Sequence, residues 1–359
     1  MFNNVYKGKR VLVIGDTGFK GSWLTVWLKM LGAEVAGLAN GIPTKPSNYQ
    51  VCGLGKLIKH YSADIRNYQS VLKVFKSFAP DIVFHLAAQA LVQKSLAEPR
   101  LTFETNTLGT MNILEALRNH KKNIVGVIIT SDKCYRNLGW EWGYRETDEL
   151  GGDDPYSASK GAAELIFRPY ANIYNLPIST ARAGNVIGGG DWAQDRIIPD
   201  CVKAWSKRKI PLIRQPGATR PWQHVLEPLS GYLWLGVNLL KRPEKFKGQS
   251  YNFGPNTGKN YQVRELLEVL AKYWPGITWK ESKRDKTVKF EPKLLKLNCD
   301  KALFSLGWQT ALSFEEAVEM TADWYLNYCQ KKRNMYQFSI DQIEKYIKIA
   351  QEQKMPWVK

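Results

Sequence analysis

RVLVIGDTGFKGSWLTVWLKML, residues 10–31, has the pattern of a strand, a glycine turn and a helix in succession. The run from Val11 to Ile14 is short and apolar, as in strands that are buried on both faces of a parallel sheet. Gly15, Gly18 and Gly21 follow, and glycine lets the chain bend sharply and bring backbone N–H groups close to a ligand. The positive end of the following helix would face the same ligand. The segment therefore predicts a pyrophosphate site.

Strands and helices go on alternating as far as about residue 186. A second strand at Glu34–Ala39 completes the setting that a dinucleotide-binding fingerprint requires. The other elements predicted in this half are strands at 81–88, 124–131 and 178–185 and helices at 102–119 and 156–174. Such alternation produces an α/β fold, a Rossmann-type doubly wound parallel sheet with its ligands at the carboxyl ends of the strands.

Beyond Gly188 the pattern loosens, and glycine, proline and tryptophan become frequent in GGGDW and QPGATRPWQHV. We predict a dinucleotide-binding Rossmann domain over residues 1–186. Residues 187–359 are predicted to form mainly a smaller, loop-rich substrate lobe, with some segments returning to the first domain. No low-complexity linker separates the halves, so we expect one unit with a cleft between two lobes. Apolar residues at helical spacing between 340 and 350 predict a terminal amphipathic helix.

The composition is that of a globular protein with a core of its own, since 44% of the 359 residues are apolar. No apolar run approaches the ~20 residues that span a bilayer, so we expect neither a signal peptide nor contact with a membrane. The five cysteines are scattered and lack metal-binding spacing, which favours reduced thiols in the cytoplasm and no metal; they are Cys52, Cys134, Cys201, Cys299 and Cys329. The histidines are isolated, and we expect packing or hydrogen-bonding roles for His60, His85, His120 and His224.

The formal charge of +18 has three possible meanings: binding of nucleic acid, binding of an acidic small substrate, or a lysine-rich solvated surface. No dense basic run interleaved with aromatic residues is present, so we expect no nucleic-acid partner. The other two explanations both stay open.

Tyr156 and Lys160, in the segment YSASK, lie four residues apart and would share one face of a helix. A nearby cation stabilises a phenolate and lowers the tyrosine pKa, so the pair can act as a base on a hydroxyl group. The motif YxxxK is common, and the alternative is an exposed pair without a function. Its position after a nucleotide-type sheet favours the base.

A hydroxyl, a carboxyl and an amine follow the strand IVGVIIT, in the segment from Thr130 to Lys133. At the carboxyl end of a strand, such groups can orient, protonate and deprotonate a substrate. The alternative is an ordinary turn in which Asp132 caps a helix. In the looser half, Asn185, Arg220 and Asn252 are candidates for binding a diphosphate and sugar hydroxyls, or for structural roles.

Together these motifs resemble the extended short-chain dehydrogenase/reductases that act on nucleotide sugars. The resemblance covers residues 9–324 and depends on GDTGFKG, HLAAQ at 85–89, Asn106, TSDK and YSASK, in this order. Within that family, SDK at 131–133 and RPWQHVLEPLSGYLWL at 220–235 are most similar to CDP-glucose 4,6-dehydratases. The dTDP-glucose dehydratases have Thr-Asp-Glu in place of SDK, and the epimerases lack the acid/base pair.

The resemblance also implies ligands for many residues. Those implied to bind NAD are Gly15, Thr17, Gly18, Phe19, Gly21, Asn40, Asp64, Ile65, Leu86, Ala87, Ala88, Tyr156 and Lys160. Those implied to bind the nucleotide sugar, CDP-glucose, are Gln89, Asn185, Arg220 and Asn252. A homo-oligomer, either a dimer or a tetramer, is implied as well.

One position departs from the dinucleotide-binding fingerprint. The acidic residue that usually binds the adenosine ribose should end the second strand, but Ala39 and Asn40 stand there, and Glu34 is at the other end. Sequence rules therefore do not choose between NAD and NADP, and the resemblance favours NAD.

The implied reaction is a redox-neutral dehydration of CDP-D-glucose to CDP-4-keto-6-deoxy-D-glucose, an early step towards the deoxysugars of a surface polysaccharide such as the O-antigen of lipopolysaccharide. Tyr156 would take the proton of the 4-hydroxyl while carbon 4 loses hydride, with Lys160 holding Tyr156 and the nicotinamide ribose and Ser131 bonding the 4-oxygen. Lys133 would then remove the carbon 5 proton, Asp132 would protonate the leaving 6-hydroxyl, and the hydride would return to carbon 6. Burial would favour the neutral amine and the protonated carboxyl that these steps need.

Two alternatives stay open. An epimerase or reductase of the same fold would give Asp132 and Lys133 no shared task, and a non-catalytic nucleotide-binding protein would not need the pair of Tyr156 and Lys160. The residues by themselves do not identify the nucleotide base, the oligomer or the final deoxysugar.

Overall fold

A parallel sheet of seven strands lies at the centre of the computed structural model, which describes residues 1–255, 260–274, 276–282 and 294–359. The strands are β1 (Arg10–Ile14), β2 (Glu34–Ala39), β3 (Lys59–Ser62), β4 (Ile82–His85), β5 (Val125–Ile129), β6 (Ile178–Arg182), β7 (Val186–Ile187), β8 (Leu212–Ile213), β9 (Thr219–Arg220), β10 (Gln223–His224), β11 (Ser250–Asn252), β12 (Tyr261–Gln262) and β13 (Lys280–Glu281). The helices are α1 (Phe19–Met30), α2 (Asn48–Val51), α3 (Tyr68–Phe78), α4 (Val92–Ala97), α5 (Pro99–Phe103), α6 (Gly109–Arg118), α7 (Pro155–Asn172), α8 (Ile197–Ser206), α9 (Leu226–Lys241), α10 (Pro243–Phe246), α11 (Val263–Tyr273), α12 (Asp300–Leu306), α13 (Phe314–Gln330) and α14 (Met335–Glu352).

The strand order of the sheet is β11-β6-β5-β4-β1-β2-β3, and all of its neighbours are parallel. The chain runs outward from β1 in one direction and from β4 in the other, so the sheet has its switch point between these two strands. Ligands of doubly wound sheets bind at such a point, outside the carboxyl ends of the strands. The predicted fold class is confirmed.

Helices cover both faces of the sheet, because side chains of a strand alternate between its faces. Leu12 and Ile14 of β1 pack in the core that α3, α6 and α7 cover. Val11 and Val13 pack in the core formed with α1, α9 and α14. The apolar run of β1 is therefore buried on both sides, as its composition predicts. None of the described helices is long and apolar enough to cross a membrane.

Residues after 185 form small ribbons outside the central sheet and also contribute to that sheet. Three two-stranded ribbons, β7 with β10, β8 with β13 and β9 with β12, lie outside the sheet. β11 returns to pair with β6, and α9 packs against β5 and β6. The terminal helix α14 packs against α1, where Tyr346 meets Trp27 edge to face at 5.8 Å and donates a 2.7 Å hydrogen bond to Glu227.

The helix predicted over 102–119 is continuous, but it is not α-helical throughout. A π-helical turn at Glu104–Leu108 lies between α5 and α6. Within it, the Asn106 side chain accepts a hydrogen bond from the Gln89 backbone nitrogen at 2.8 Å and donates to the Gln89 carbonyl and the Ser159 hydroxyl. Such π turns often occur at functional sites, and this one holds the chain that leaves β4 against α7.

A buried ion pair joins α7 to the strands under the carboxyl edge. The Arg182 guanidinium donates to both Glu164 oxygens, at 3.0 and 2.8 Å, and neither side chain is exposed. Thr130 and Thr180 donate to the same carboxylate at 2.5 and 2.8 Å. Burial alone would raise the pKa of Glu164, but Arg182 and the hydrogen bonds hold it below its usual value. Glu164 lies one turn after Lys160 on α7. The ion pair between Glu164 and Arg182 therefore fixes the predicted catalytic helix on the sheet.

Arg182→Met should destabilise the protein strongly, because it leaves the Glu164 carboxylate buried without its cation. We expect a loss of roughly 3–5 kcal/mol in the free energy of unfolding, measured by denaturant titration. The matched control is Arg118→Met, since Arg118 pairs with Glu115 at the surface at 2.7 Å, and this change should cost no more than about 1 kcal/mol. Equal losses in the two variants would contradict the prediction.

Candidate active site

One cleft of about 1580 Å³ follows the carboxyl ends of the sheet and is walled on its far side by loops of the second lobe. Pockets for one small ligand measure about 300–1,000 Å³, so this cleft has room for a dinucleotide and a second ligand. The predicted site residues that line it are Gly15, Thr17, Gly18, Phe19, Gly21, Asn40, Leu86, Ala88, Gln89, Ser131, Asp132, Lys133, Tyr156, Lys160, Asn185 and Arg220. The predicted residues that do not line it are Asp64, Ile65, Ala87 and Asn252.

The glycine turn leaves a backbone cradle at the switch point. Gly15 has a φ of 93°, and a Cβ on it would lie 2.7 Å from the Ala87 nitrogen. A Cβ on Gly21 would lie 2.0 Å from the Gly15 carbonyl oxygen. Gly18 begins α1 without a side-chain cap, so the first N–H groups of the helix are available to an anion. These features fit the pyrophosphate of a dinucleotide.

An acid that the rule for the second strand misses lies beside the cleft, next to Asn40. Asp64 follows β3, and the Asn40 amide donates to it at 3.3 Å. Arg66, which lines the cleft, binds the same carboxylate with contacts of 3.0 and 2.6 Å, and this hydrogen bonding lowers the Asp64 pKa. Ile65 is buried behind this group against Gly109.

A second acid, Asp16, lies inside the glycine turn and was not singled out from the sequence. It is fully buried, and its Oδ2 is 2.8 Å from Nδ1 of His60. The hydrogen bond to Asp16 raises the His60 pKa. Gly37 of β2 makes room for the carboxylate, because a Cβ there would be 2.0 Å from Oδ2. The sequence signal was an acidic residue next to the first glycine of the fingerprint.

Tyr156 and Lys160 lie on one face of α7, as their spacing predicts, and are 8% and 5% exposed. Burial raises the pKa of Tyr156 to about 12, although its side-chain hydrogen bond with Ser131 acts in the opposite direction. Burial also lowers the pKa of Lys160 to about 8. The Tyr156 pKa is thus raised, whereas the sequence predicted that a neighbouring cation would lower it, because desolvation of the phenolate is the larger effect.

Ser131, Asp132 and Lys133 form a tight turn at the end of β5. The Ser131 hydroxyl donates to Asp132 Oδ1 at 2.9 Å. The Lys133 backbone nitrogen donates to the same oxygen at 2.9 Å and to the Ser131 hydroxyl at 3.2 Å. A single 3-10 turn follows at Asp132–Cys134, and the residue that caps it is Ser131 and not Asp132. Gly184 leaves the space that the carboxylate fills, since a Cβ there would lie 1.8 Å from Oδ2.

Lys20 and Arg196 add positive charge to this part of the cleft and were not predicted. Lys20 is in the first turn of α1, with its ammonium group 6.0 Å from the centre of the Tyr232 ring. Burial lowers its pKa to about 8, and the charges of Arg196 and Lys160 add to the effect. Arg196 binds Asp191 at 2.7 Å. The sequence signal available for Lys20 was its position in GDTGFKG.

The structure removes Asn252 from the candidate substrate residues. Its side chain is fully buried, accepts a 2.8 Å hydrogen bond from Tyr135 and donates to the carbonyls of Tyr144 and Asn298, both at 2.9 Å. Strand β11 carries Asn252 into the sheet, so its amide joins segments of the core and does not reach a ligand. Over the ranges that the structure describes, no three side chains group as a metal site would require.

Comparison with known proteins identifies the family. Residues 12–321 match the model of the family described as GDP-mannose 4,6 dehydratase. The CDP-glucose 4,6-dehydratase of Salmonella typhimurium is 41% identical over 333 residues, which are 90% of this chain and 92% of that protein.

Solved structures show the same fold. The UDP-glucose 4-epimerase of Thermus thermophilus, solved with NAD, is 27% identical with a TM-score of 0.76 and covers 88% of this chain and 99% of its own. A dTDP-glucose 4,6-dehydratase of Streptomyces venezuelae is 23% identical with a TM-score of 0.75, and the match covers 88% of this chain and 97% of that one. The chain therefore belongs to the GDP-mannose 4,6 dehydratase family, within the extended short-chain dehydrogenase/reductases that act on nucleotide sugars.

Proposed function

We propose that the protein dehydrates CDP-D-glucose to CDP-4-keto-6-deoxy-D-glucose, which supplies the synthesis of deoxysugars for a surface polysaccharide such as the O-antigen. The observation that carries the proposal is the meeting of two pairs in one cleft, Tyr156 with Lys160 and Asp132 with Lys133. The first pair suits the oxidation of a hydroxyl, and the second adds the acid and the amine that an elimination needs. The name and the 41% identity of the Salmonella enzyme support the choice of a CDP-sugar.

The cofactor in this proposal is NAD, which would accept hydride from carbon 4 of the sugar and return it to carbon 6. The glycine cradle, Thr17 and Phe19 would hold its pyrophosphate, and Asn40 with Asp64 and Ile65 its adenosine. Leu86, Ala87 and Ala88 would border it from the end of β4. Residues 1–186 thus bind mainly the cofactor and residues 187–359 mainly the nucleotide sugar.

In this proposal the catalytic residues have the roles that the family resemblance implies. Tyr156 takes the proton of the 4-hydroxyl, Lys160 orients it, and Ser131 bonds the 4-oxygen. Lys133 removes the proton from carbon 5, and Asp132 protonates the departing 6-hydroxyl. Gln89, Asn185 and Arg220 line the cleft, and in this proposal they bind the nucleotide sugar.

In this proposal the protein is a homo-oligomer in the cytoplasm. Apolar side chains stand exposed on neighbouring helices, with Phe103 39%, Leu108 48% and Leu165 57% accessible, which favours a homodimer or homotetramer. All five cysteines are free, which fits the cytoplasm. We assign the positive charge to the anionic substrate and to solvation, without a nucleic-acid partner.

CDP-glucose should be converted to the 4-keto-6-deoxy sugar without added reductant, because the hydride that leaves carbon 4 is used at carbon 6. With deuterium on carbon 4, mass spectrometry and NMR should find the label on carbon 6 of the product. UDP-, GDP- and dTDP-glucose serve as controls for the identity of the nucleotide base. Inversion at carbon 4 without loss of water would identify an epimerase instead, and a preference for another nucleotide would contradict the choice of CDP.

Protein freed of cofactor should bind NAD more tightly than NADP, because a 2′-phosphate would lie near the Asp64 carboxylate while Arg66 is already paired with it. Fluorescence titration with each dinucleotide measures both dissociation constants. Asp64→Asn should narrow the difference between the two dissociation constants by removing the negative charge. The matched control is Asp148→Asn, at an exposed turn. Tighter binding of NADP to the unaltered protein would reverse the choice.

Lys133→Met should lower product formation by about 10²–10⁴-fold, the usual cost of losing a general base. Methionine keeps the apolar stem of the side chain and removes the amine, so binding of CDP-glucose and NAD should change little. With CDP-glucose that carries deuterium on carbon 4, Tyr156→Phe should also abolish the loss of this deuterium, because the first oxidation is blocked. Lys133→Met should still allow that loss. Lys73→Met, at an exposed position of α3, is the matched control. Product formation at nearly the normal rate would move the base to another residue.

A further inference from the structure

The loop between β3 and α3 carries Asp64 and Ile65, which are proposed to receive the adenosine of NAD, and this inference rests on that proposed position. The Asp64 carboxylate is held by the residue two places further on. Its Oδ1 accepts from the Arg66 backbone nitrogen at 2.9 Å, and its Oδ2 accepts from the Arg66 guanidinium at 3.0 and 2.6 Å. The direction in which the carboxylate faces therefore depends on the backbone of residues 65 and 66.

The side chain of Asn112, on α6, holds that backbone. Its amide nitrogen donates to the Ile65 carbonyl at 2.8 Å and to the Arg66 carbonyl at 3.1 Å. An amide NH₂ group carries two donors, so one side chain can serve both carbonyls. Carbonyl groups that are shielded from water need such a donor. Because Asn112 belongs to a regular helix, the place at which it holds the loop is fixed by the packing of α6.

Two further contacts attach the loop to the same helical segment. Ile65 is 5% exposed and packs against Gly109, where a Cβ would lie 2.7 Å from the Ile65 Cδ1 atom. The Arg66 guanidinium lies 3.7 Å from the carboxylate of Glu104, in the π turn before α6. The absence of a side chain on Gly109 thus lets the helix approach the loop closely, and the Asn112 amide reaches both carbonyls from there.

We propose that Asn112 is a positioning residue for the cofactor, which holds the loop after β3 in the conformation in which Asp64 meets the adenosine ribose. Asn112 does not line the cleft and acts through the Arg66 backbone. The other end of this helical segment is fastened to the catalytic helix, because the Asn106 amide donates to the Ser159 hydroxyl of α7 at 2.9 Å. One helix therefore connects the adenosine loop with the helix that carries the reacting groups.

Two variants with different chemistry test this role. Asn112→Leu removes the donor at nearly constant size, and Asn112→Asp keeps the shape but turns a carboxylate towards two carbonyl oxygens. The matched control is Asn119→Leu, because Asn119 follows the last turn of α6 and its amide donates to the Tyr68 hydroxyl of α3 at 2.9 Å. Each protein is freed of cofactor and titrated with NAD, ADP-ribose and CDP, and thermal denaturation checks that it folds. Asp64→Ala is included to test where the adenosine lies.

Both Asn112 variants should bind NAD and ADP-ribose more weakly by the same factor, roughly 10-fold, because both ligands contain the adenosine and the loop has lost its hydrogen bonds. The KM for NAD should rise by the same factor in the dehydration assay. The kcat at saturating NAD and the affinity for CDP should not change, whereas a general loss of packing would lower both. Asn119→Leu should leave all of these values unchanged.

Two results would overturn the inference. If Asn112→Leu leaves ADP-ribose binding unchanged, or weakens CDP binding as much as ADP-ribose binding, Asn112 is only a structural contact. If Asp64→Ala leaves ADP-ribose binding unchanged, the adenosine lies elsewhere, and the proposed position of the cofactor is refuted together with the role of Asn112. The binding titrations need no turnover, so a failure of the protein to dehydrate CDP-glucose would refute the proposed reaction and not this role.

Discussion

The buried ion pair between Glu164 and Arg182 holds the working parts of the site in register. The Glu164 carboxylate receives hydrogen bonds from Thr130, just after β5, from Thr180 within β6 and from the Ser250 hydroxyl of β11 at 3.1 Å, while its backbone belongs to α7. The guanidinium extends the network to the Tyr135 hydroxyl at 2.6 Å. A helix packed only by apolar side chains can shift along a sheet at modest cost. Here a shift would separate buried charges, so the distance from Lys160 to the end of β5 is constrained.

Desolvation governs the chemistry of the cleft. It opposes the phenolate of Tyr156 and favours neutral amines at Lys20 and Lys160, which are both shifted to a pKa of about 8. An anionic substrate and cofactor would favour the protonated amines again. The cluster of cations is therefore matched to ligands that bring several negative charges, and this explains part of the positive charge of the chain without a nucleic acid.

The sequence was sufficient for the sheet, the glycine turn and the catalytic helix, because each has a local pattern: an apolar run, three spaced glycines and an i, i+4 pair. The π turn at Asn106 was beyond such rules, since it depends on contacts between distant segments, and the predicted return of later segments to the first domain did not identify β11. Asn252 shows this clearly, because a polar residue near a strand end looks the same in sequence whether it meets a ligand or Tyr135. Lys20 and Asp16 were quoted within the fingerprint, but only the fold reveals what surrounds them.

The face of the sheet that carries α1 is covered by helices from the far end of the chain. α9 packs against β5 and β6, and α14 packs against α1 through Tyr346 and Trp27. During synthesis, the first 186 residues leave the ribosome long before α9 and α14 exist, and in that interval these two helices are missing from the face that α1 partly covers. A chain built in this way completes the packing of this face only after its last helix has emerged, and apolar surface that is exposed until then favours aggregation.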